Sequence, residues 1–352
     1  MSGGVLRVLG VETSCDETSA SVVEGSGGSV RQRSLVILSQ DIHRVFGGVV
    51  PEIASRQHLT AVVPVVKRAL DDAGLSLGEI DAVAVTYAPG LVGALLVGVS
   101  YAKALAYAAD RPLVAVHHME GHLFAPSLES PDAKPPFTAL LVSGGHTLLL
   151  DVPEWGRYRL LGATRDDAAG EAFDKVAKLL GLPYPGGRHV EELARDGDGS
   201  VHRFARPMLR RDQRPGDADY YDVSFSGIKT AVLNAVRSAT DLESQKAHLA
   251  RGFQDAVIET LVEKTARAVE QFDRPRVVLG GGVACNTALV SAMRERLASS
   301  GVTVHAPSPR LATDNAAMIA RAGIFRLENG ESAGPDLSAH ASMPLPGLEP
   351  AA

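Results

Sequence analysis

The chemistry-bearing residues begin with two histidines four positions apart. In His117-His118-Met119-Glu120-Gly121-His122, a helical Met119–Phe124 puts His118 and His122 on one face, at metal-ligand spacing. The same spacing also suits a pair of core or capping histidines. A zinc-peptidase box needs its general base directly after the first histidine. Glu120 stands two positions after His118, rotated about 200° around the helix from that ligand, so the peptidase reading falls. A carboxylate that would complete a two-histidine, one-carboxylate site lies in Pro307-Ser308-Pro309-Arg310-Leu311-Ala312-Thr313-Asp314-Asn315. There Asp314 is either that ligand or, like Thr313, a cap on the last helix.

Three turns follow or join apolar strands: Glu12-Thr13-Ser14-Cys15-Asp16, Ser143-Gly144-Gly145-His146 and Gly280-Gly281-Gly282. Glycine lets backbone N–H groups approach an anion, and the helix after Gly282 offers its positive end. One such turn is only a turn; three spread over two lobes suit a nucleotide grip. No P-loop motif and no full GxGxxG is present, which removes support from the common NTPase and dinucleotide readings.

The elements that must position these residues follow from periodicity. Two strand-like runs flank the first turn, and a third, SLVILSQ, follows Arg33. Pro51 opens a helix in which Ile53, Leu59, Val62, Val63, Val66 and Leu70 share a face, ending at Gly74. Strand IDAVAVT, the apolar helix Leu91–Ala109 and strand LVAVHH come next. From Phe137 the order strand, tight polar turn, strand repeats. A helical insertion over about 168–272, strand RVVLGGG, a helix, strand VTVHAP and a helix from about Asp314 complete it. The expectation is an N-terminal lobe over 1–130, a C-terminal lobe over 131–330 and a disordered tail over 331–352. The two lobes are similar, with mixed sheets flanked by helices and a cleft between them.

Composition bounds the rest. The 352 residues are 45% hydrophobic and 22% charged, which excludes collagen-like, disulfide-scaffold and wholly disordered classes. The net charge of −6 provides no global basic field, so any RNA contact needs a local patch. One such stretch holds His202, Arg203, Arg206, Arg210, Arg211 and Arg214 with only Asp212 among them. Cys15 and Cys285 are too few for a disulfide framework and fit a reducing compartment, as reactive thiols or inert ones. The opening MSGGVLRVLG lacks the apolar core of a signal peptide, and Leu91–Ala109 reads as a core helix, so a cytoplasmic location is expected.

Seven motifs stand in one order: GVETSCDET, HMEGH, LVSGGHT, DDAAGEAFDK with YPGG, SFSGIKT, GGGVACN and TDNAAMIA. Together, over about residues 6–330, they resemble the tRNA adenosine threonylcarbamoyltransferase family of the bacterial TsaD type. The resemblance implies an α/β fold with two related actin/sugar-kinase-like lobes. It implies transfer of a threonylcarbamoyl group from threonylcarbamoyl-AMP to the exocyclic amine of the adenosine 3′ of the anticodon in ANN-decoding tRNAs. His118, His122 and Asp314 match the family's ligands for one divalent metal, Fe2+ or Zn2+. Leu141, Val142, Ser143, Gly144 and Gly145 match the loop that meets the acyl and phosphate groups; Asp174, Gly187, Glu191 and Asn286 match positions that hold the adenosine moiety.

Because the mixed anhydride is already activated, no covalent enzyme intermediate is required, and orientation, metal and backbone donors supply the catalysis. Glu12 and Asp16 are candidate acceptors for the amine proton. The resemblance further implies a bacterial inactive paralogue (TsaB-type) and a small ATPase (TsaE-type) as partners. The helices Ile53–Leu70 and Leu91–Ala109 are candidates for that interface or for the core. Rival readings are an ATPase or kinase of the same fold, in which the histidine pair has no role, and a scaffold paralogue, which would lack the metal ligands. A third is a carbamoyltransferase with added domains, for which the chain has no room.

Overall fold

A computed structural model describes residues 4–26, 29–210 and 212–349. In chain order the elements begin with β1 (Leu6–Glu12), β2 (Glu17–Ser26), β3 (Ser29–Gln32), β4 (Val36–Ser39) and α1 (Pro51–Ala73). Then come β5 (Ala82–Ala88), α2 (Val92–Ala109), β6 (Leu113–His117) and α3 (His118–Phe124). The next group is β7 (Phe137–Val142), β8 (Thr147–Glu154), β9 (Arg157–Ala163), α4 (Ala169–Leu179) and α5 (Gly186–Ala194). After them stand α6 (Ser226–Ser238), α7 (Leu242–Phe272), β10 (Arg276–Gly280) and α8 (Thr287–Leu297). The last are β11 (Thr303–His305), α9 (Pro309–Ala312), α10 (Ala316–Glu328) and β12 (Leu348–Glu349). Contacts divide the chain into two units, 1–133 with 307–346 and 134–306 with 347–352.

The first unit carries a mixed sheet in the order β3-β2-β1-β5-β6, with β4 pairing the other end of β2. The second carries β11-β10-β7-β8-β9-β12. Strands β3-β2-β1-β5-β6 and β9-β8-β7-β10-β11 follow one plan: an antiparallel meander whose first strand is extended by two parallel strands. The repeat expected from element order is therefore present in the topology.

In the first unit β1 is buried on both faces, which is why LRVLGVE is apolar almost throughout. On one face Leu9, Val11 and Val22 pack with Val62, Val66, Leu95 and Val99 of α1 and α2. On the other, α10 lies against the strand. A Cβ added to Gly10 would stand 2.2 Å from the Ala316 carbonyl oxygen, so only glycine admits the helix backbone there. The residues from 307, expected in the second lobe, thus belong to the first, because α10 buries Ala316 to Ala322 on its sheet.

Two further expectations are corrected. The tail is ordered as far as it is described: Ala333 N donates to Leu113 O, and Leu348–Glu349 pair with β9. Residues 350–352 lie outside the described residues. Helix α1 starts at Pro51 and stops at Gly74 (φ 67°), but its inward face is about a quarter turn from the expected one. His58 is buried and hydrogen-bonded to Thr18 Oγ1 and Cys15 O, so Leu59 and Val63 are left exposed.

In the second unit α4 to α8 cover the sheet, with Phe173, Phe225, Phe253 and Leu261 central to the core. The expected insertion over 168–272 contains α4 to α7 and an irregular stretch that Lys264 fastens. Its buried Nζ donates to Asp219 O at 2.8 Å and Tyr220 O at 2.7 Å. Burial and the neighbouring Arg267 bring that lysine down to about 8.

The Gly10 contact yields a stability test. Gly10→Ala overpacks the β1–α10 seam and costs about 1–3 kcal/mol in urea unfolding. Gly78→Ala, with open space around it, changes stability by less than about 0.5 kcal/mol. Equal effects would mean that α10 does not press on β1.

Candidate functional site

In the first unit strand β6 delivers its last residue, His117, directly into α3, and both histidines of that helix face inward. His118 is 7% exposed and His122 fully buried. Their Nε2 atoms lie 3.2 Å apart, with the rings nearly perpendicular. Asp314 Oδ1 stands 3.3 Å from each Nε2. Three donor atoms at such edges fit one cation, since tetrahedral ligands at about 2.1 Å are about 3.4 Å apart. Two imidazoles and a carboxylate also form the donor set that binds divalent transition ions.

Asp314 is available because Asn315 does the capping. Asn315 Oδ1 accepts from Met318 N at 3.0 Å, and its amide nitrogen donates to Leu311 O and Thr313 O. The expectation that Thr313 or Asp314 caps the last helix is replaced by this arrangement. Glu120, the other acid of the histidine box, turns away and pairs with Arg326 Nε at 2.6 Å.

Glu12, at the end of β1, is fully buried and committed. Oε1 accepts from Ser14 N at 2.5 Å, and Oε2 accepts from Thr86 Oγ1 at 2.6 Å and meets His118 Nδ1 at 3.1 Å. A carboxylate on Nδ1 fixes the tautomer that presents Nε2 to a cation. The Ser14 backbone N–H of the first turn and Thr86, which sequence reasoning missed, hold that carboxylate; a hydroxyl in mid-strand carries no signal in one sequence. Burial pushes Glu12 and Asp314 up, but His118 outweighs it and holds both below the carboxylate range. Burial pulls His118 down, and the Asp314 and Glu12 charges more than reverse it. Asp16 is partly exposed, whereas burial and the Asp314 and Asp16 charges push the neighbouring Glu17 carboxyl well up. Both thiols are pushed up, chiefly by burial, Cys285 to about 11, which fits inert cysteines.

The second unit gathers the remaining predicted residues through its own contacts. The turn after Leu141 and Val142 closes by Ser143 N on His146 O at 2.8 Å. Its Ser143 Oγ accepts from Gly145 N and His146 N. Gly144 and Gly145 are exposed with open space above them. The start of α4 and the third glycine turn press on this loop: a Cβ at Gly170 would meet Ser143 O at 2.7 Å. One at Gly281, where φ is +87°, would meet Val142 O at 2.4 Å. Asp174 Oδ1 accepts from Gly186 N at 2.7 Å, which sets the first turn of α5 and Gly187. Glu191 accepts from the backbone and hydroxyl of Thr287, and Asn286 caps α8 through Leu289 N at 3.0 Å. Gln254, a partner missed by the sequence, takes the Asn286 amide at 2.9 Å.

Comparison with known proteins decides the family. The model of the family described as TsaD, tRNA N6-adenosine threonylcarbamoyltransferase, matches residues 32–321. A protein of that name from Gemmatimonas aurantiaca is 68% identical over 350 residues, covering 97% of this chain and 98% of its own. The chain belongs to the TsaD family.

Among solved structures, component A of the (R)-2-hydroxyglutaryl-CoA dehydratase of Acidaminococcus fermentans is similar at a TM-score of 0.55. It is 14% identical over 92% of this chain and 99% of that one. HypF from T. kodakarensis is similar at a TM-score of 0.60, with 14% identity over 93% of this chain and 48% of that one. At such identity the likeness is one of fold. It is the expected class, α/β with two related actin/sugar-kinase-like lobes and mixed sheets flanked by helices.

The geometry of this candidate site makes Glu12 testable. Glu12→Gln removes the anionic acceptor for His118 Nδ1–H and lowers divalent-ion affinity by about 10–100-fold in a chromophoric-chelator competition. Glu120→Gln leaves that affinity unchanged. An unaltered affinity in Glu12→Gln would refute the role of Glu12 in orienting His118.

Proposed function

We propose that this chain transfers the threonylcarbamoyl group from threonylcarbamoyl-AMP to N6 of the tRNA adenosine 3′ of the anticodon in ANN-decoding tRNAs, releasing AMP. The observation that carries this reading is the near full-length relative named tRNA N6-adenosine threonylcarbamoyltransferase, at 68% identity. His118, His122 and Asp314 hold one divalent ion, Fe2+ or Zn2+, at their converging donor atoms. Bound there, it would supply positive charge against the negative charge that develops on the carbonyl or phosphate oxygens.

The chain's own residues do the rest. Ser143 N and Gly145 N are used within their turn, which leaves the Gly144 N–H as donor to the acyl-phosphate group. Leu141 and Val142 carry that turn on β7. Asp174, Gly187, Glu191 and Asn286 hold the adenosine through the first turns of α5 and α8. For the amine proton Asp16 is the acceptor, because Glu12 is buried and fully hydrogen-bonded; Glu12 is a positioning residue. A scaffold paralogue would have no use for the three-ligand cluster, and a kinase none for the histidine pair.

The tRNA contact is assigned to Arg203 and Arg214, which are exposed. Arg206 and Arg210 are already paired with Glu259 and Asp219, and Arg211 lies outside the described residues. The inactive paralogue takes the outer apolar stripe of α1 and α2, where Leu59, Val63, Leu96 and Tyr107 are exposed. Helix α2 is long and apolar enough to cross a membrane by composition, yet its other face (Leu95, Val99, Ala102) is packed in the core. The small ATPase completes the assembly, and a tRNA substrate supports a cytoplasmic location.

Nucleoside mass spectrometry on bulk tRNA from depleted cells tests the reading. Threonylcarbamoyladenosine disappears on depletion and returns with wild type but not with Asp314→Ala. Full restoration by Asp314→Ala would favour the scaffold reading, and an unchanged nucleoside would sink the transferase one. Arg203→Ala with Arg214→Ala lowers the slope of log affinity against log salt by about 1.5, at roughly 0.7–0.9 per phosphate contact. An unchanged slope would move the tRNA contact elsewhere.

A further inference from the structure

Residues 331–346 lie beyond the stretch that the family model matches, yet they cross the first unit as a strap and end beside the histidine helix. Ala333 N donates to Leu113 O at 2.7 Å, and Lys103 Nζ donates to Leu337 O at 3.0 Å. His340 N donates to Tyr87 O at 2.9 Å, and Gly90 N donates to Ala341 O at 3.2 Å. Tyr87 Oη reaches Met343 Sδ at 3.1 Å, and Leu345 is buried. The strap's Met343 carbonyl then meets Nε2 of His117 at 3.1 Å.

His117 is 2% exposed and is the N-cap of α3: its Nδ1 accepts from Met119 N at 3.3 Å. A nitrogen that accepts an amide proton carries none, so in the neutral ring the proton is on Nε2 and donates to Met343 O. The strap therefore selects the tautomer that caps the helix bearing His118 and His122. A seven-residue helix has little stability of its own, so its first turn depends on that cap.

We infer that His117 is a positioning residue through which the C-terminal strap holds the His118–His122 turn in register for a divalent ion. The ligand side of this inference rests on the metal reading above; the ordering of α3 does not.

The test uses full-length variants and two readouts: Zn2+ affinity by chelator competition, and amide hydrogen exchange of 118–124 in metal-free protein. His117→Ala removes the cap and the strap contact; Leu345→Asp lifts the strap end and leaves the ring in place. Each is expected to speed exchange at 118–124 and weaken Zn2+ binding by about tenfold, the low end for groups that orient a metal ligand. Their combination is no worse than either alone, because they break one linkage. His117→Asn keeps an acceptor for Met119 N and loses Met343, so it recovers most of the binding and no longer responds to Leu345→Asp.

Should Leu345→Asp fail to fold, Lys103→Met with Tyr87→Phe removes two strap anchors in its place. Additive losses near a hundredfold, or wild-type exchange and affinity in the strap variants, would overturn the inference. Wild-type protein that binds no Zn2+ but shows the exchange pattern would remove the metal reading alone.

Discussion

Asp314 reaches the two histidines because α10 lies directly on the backbone of β1 at Gly10. The three candidate ligands come from stretches nearly two hundred residues apart, and a metal site requires donor atoms placed to within a few tenths of an ångström. Sequence proximity supplies that precision only for His118 and His122, one helical turn apart. For Asp314 it comes from packing. Ala316 O sits where a Gly10 side chain would be, Ala316 N donates to Ser19 Oγ at 3.0 Å, and Asn315 locks the first turn of α10. The same strand ends in Glu12, which orients His118. One close helix–strand contact thus sets both Asp314 and the carboxylate that orients His118.

What was legible in the sequence is what is local. The α1 boundaries follow from Pro51 and Gly74, the histidine pair from helical spacing, and the repeat from element order. What escaped is what depends on distant partners. Leu59 and Val63 belong to the apolar stripe of α1, but a buried His58 with Thr18 and Cys15 as partners turns the helix. A polar side chain inside a core is invisible until its partners are known. The lobe boundary failed for the same reason: nothing near residue 307 says that the chain returns to the first sheet. The tail, rich in Ala, Ser and Pro, reads as unstructured because its order rests on backbone bonds to Leu113, Tyr87 and His117, which any composition can make.

The shared topology gives the two sheets a corresponding turn, between β1 and β2 in one and between β7 and β8 in the other. The chain spends them differently. The first turn follows a buried carboxylate, Glu12, and its Ser14 backbone N–H is consumed in holding it. The second has no carboxylate, closes on its own Ser143 hydroxyl, and exposes two glycines. The same turn of the architecture is thus filled in two ways: by a buried side-chain charge in the first unit, and by exposed backbone in the second. A shared topology needs only the apolar pattern of each strand, so the two sheets keep one plan while their turns carry different residues.

Charge balance argues for a divalent ion at the first of these turns. Glu12 and Asp314 place two buried or half-buried carboxylates against His118. A single proton shared with that imidazole offsets one of them, and the surplus negative charge is felt nearby, where Asp314 and Asp16 help drive the Glu17 carboxyl up. Burying an uncompensated charge costs several kcal/mol even after relaxation. A doubly charged cation on the Nε2 atoms and Asp314 Oδ1 would offset both carboxylates while leaving both imidazoles neutral, as metal ligation requires. His122 fits that requirement, since burial already holds it below its ordinary value. The donor set is thus matched to a divalent cation in number of charges as well as in distance.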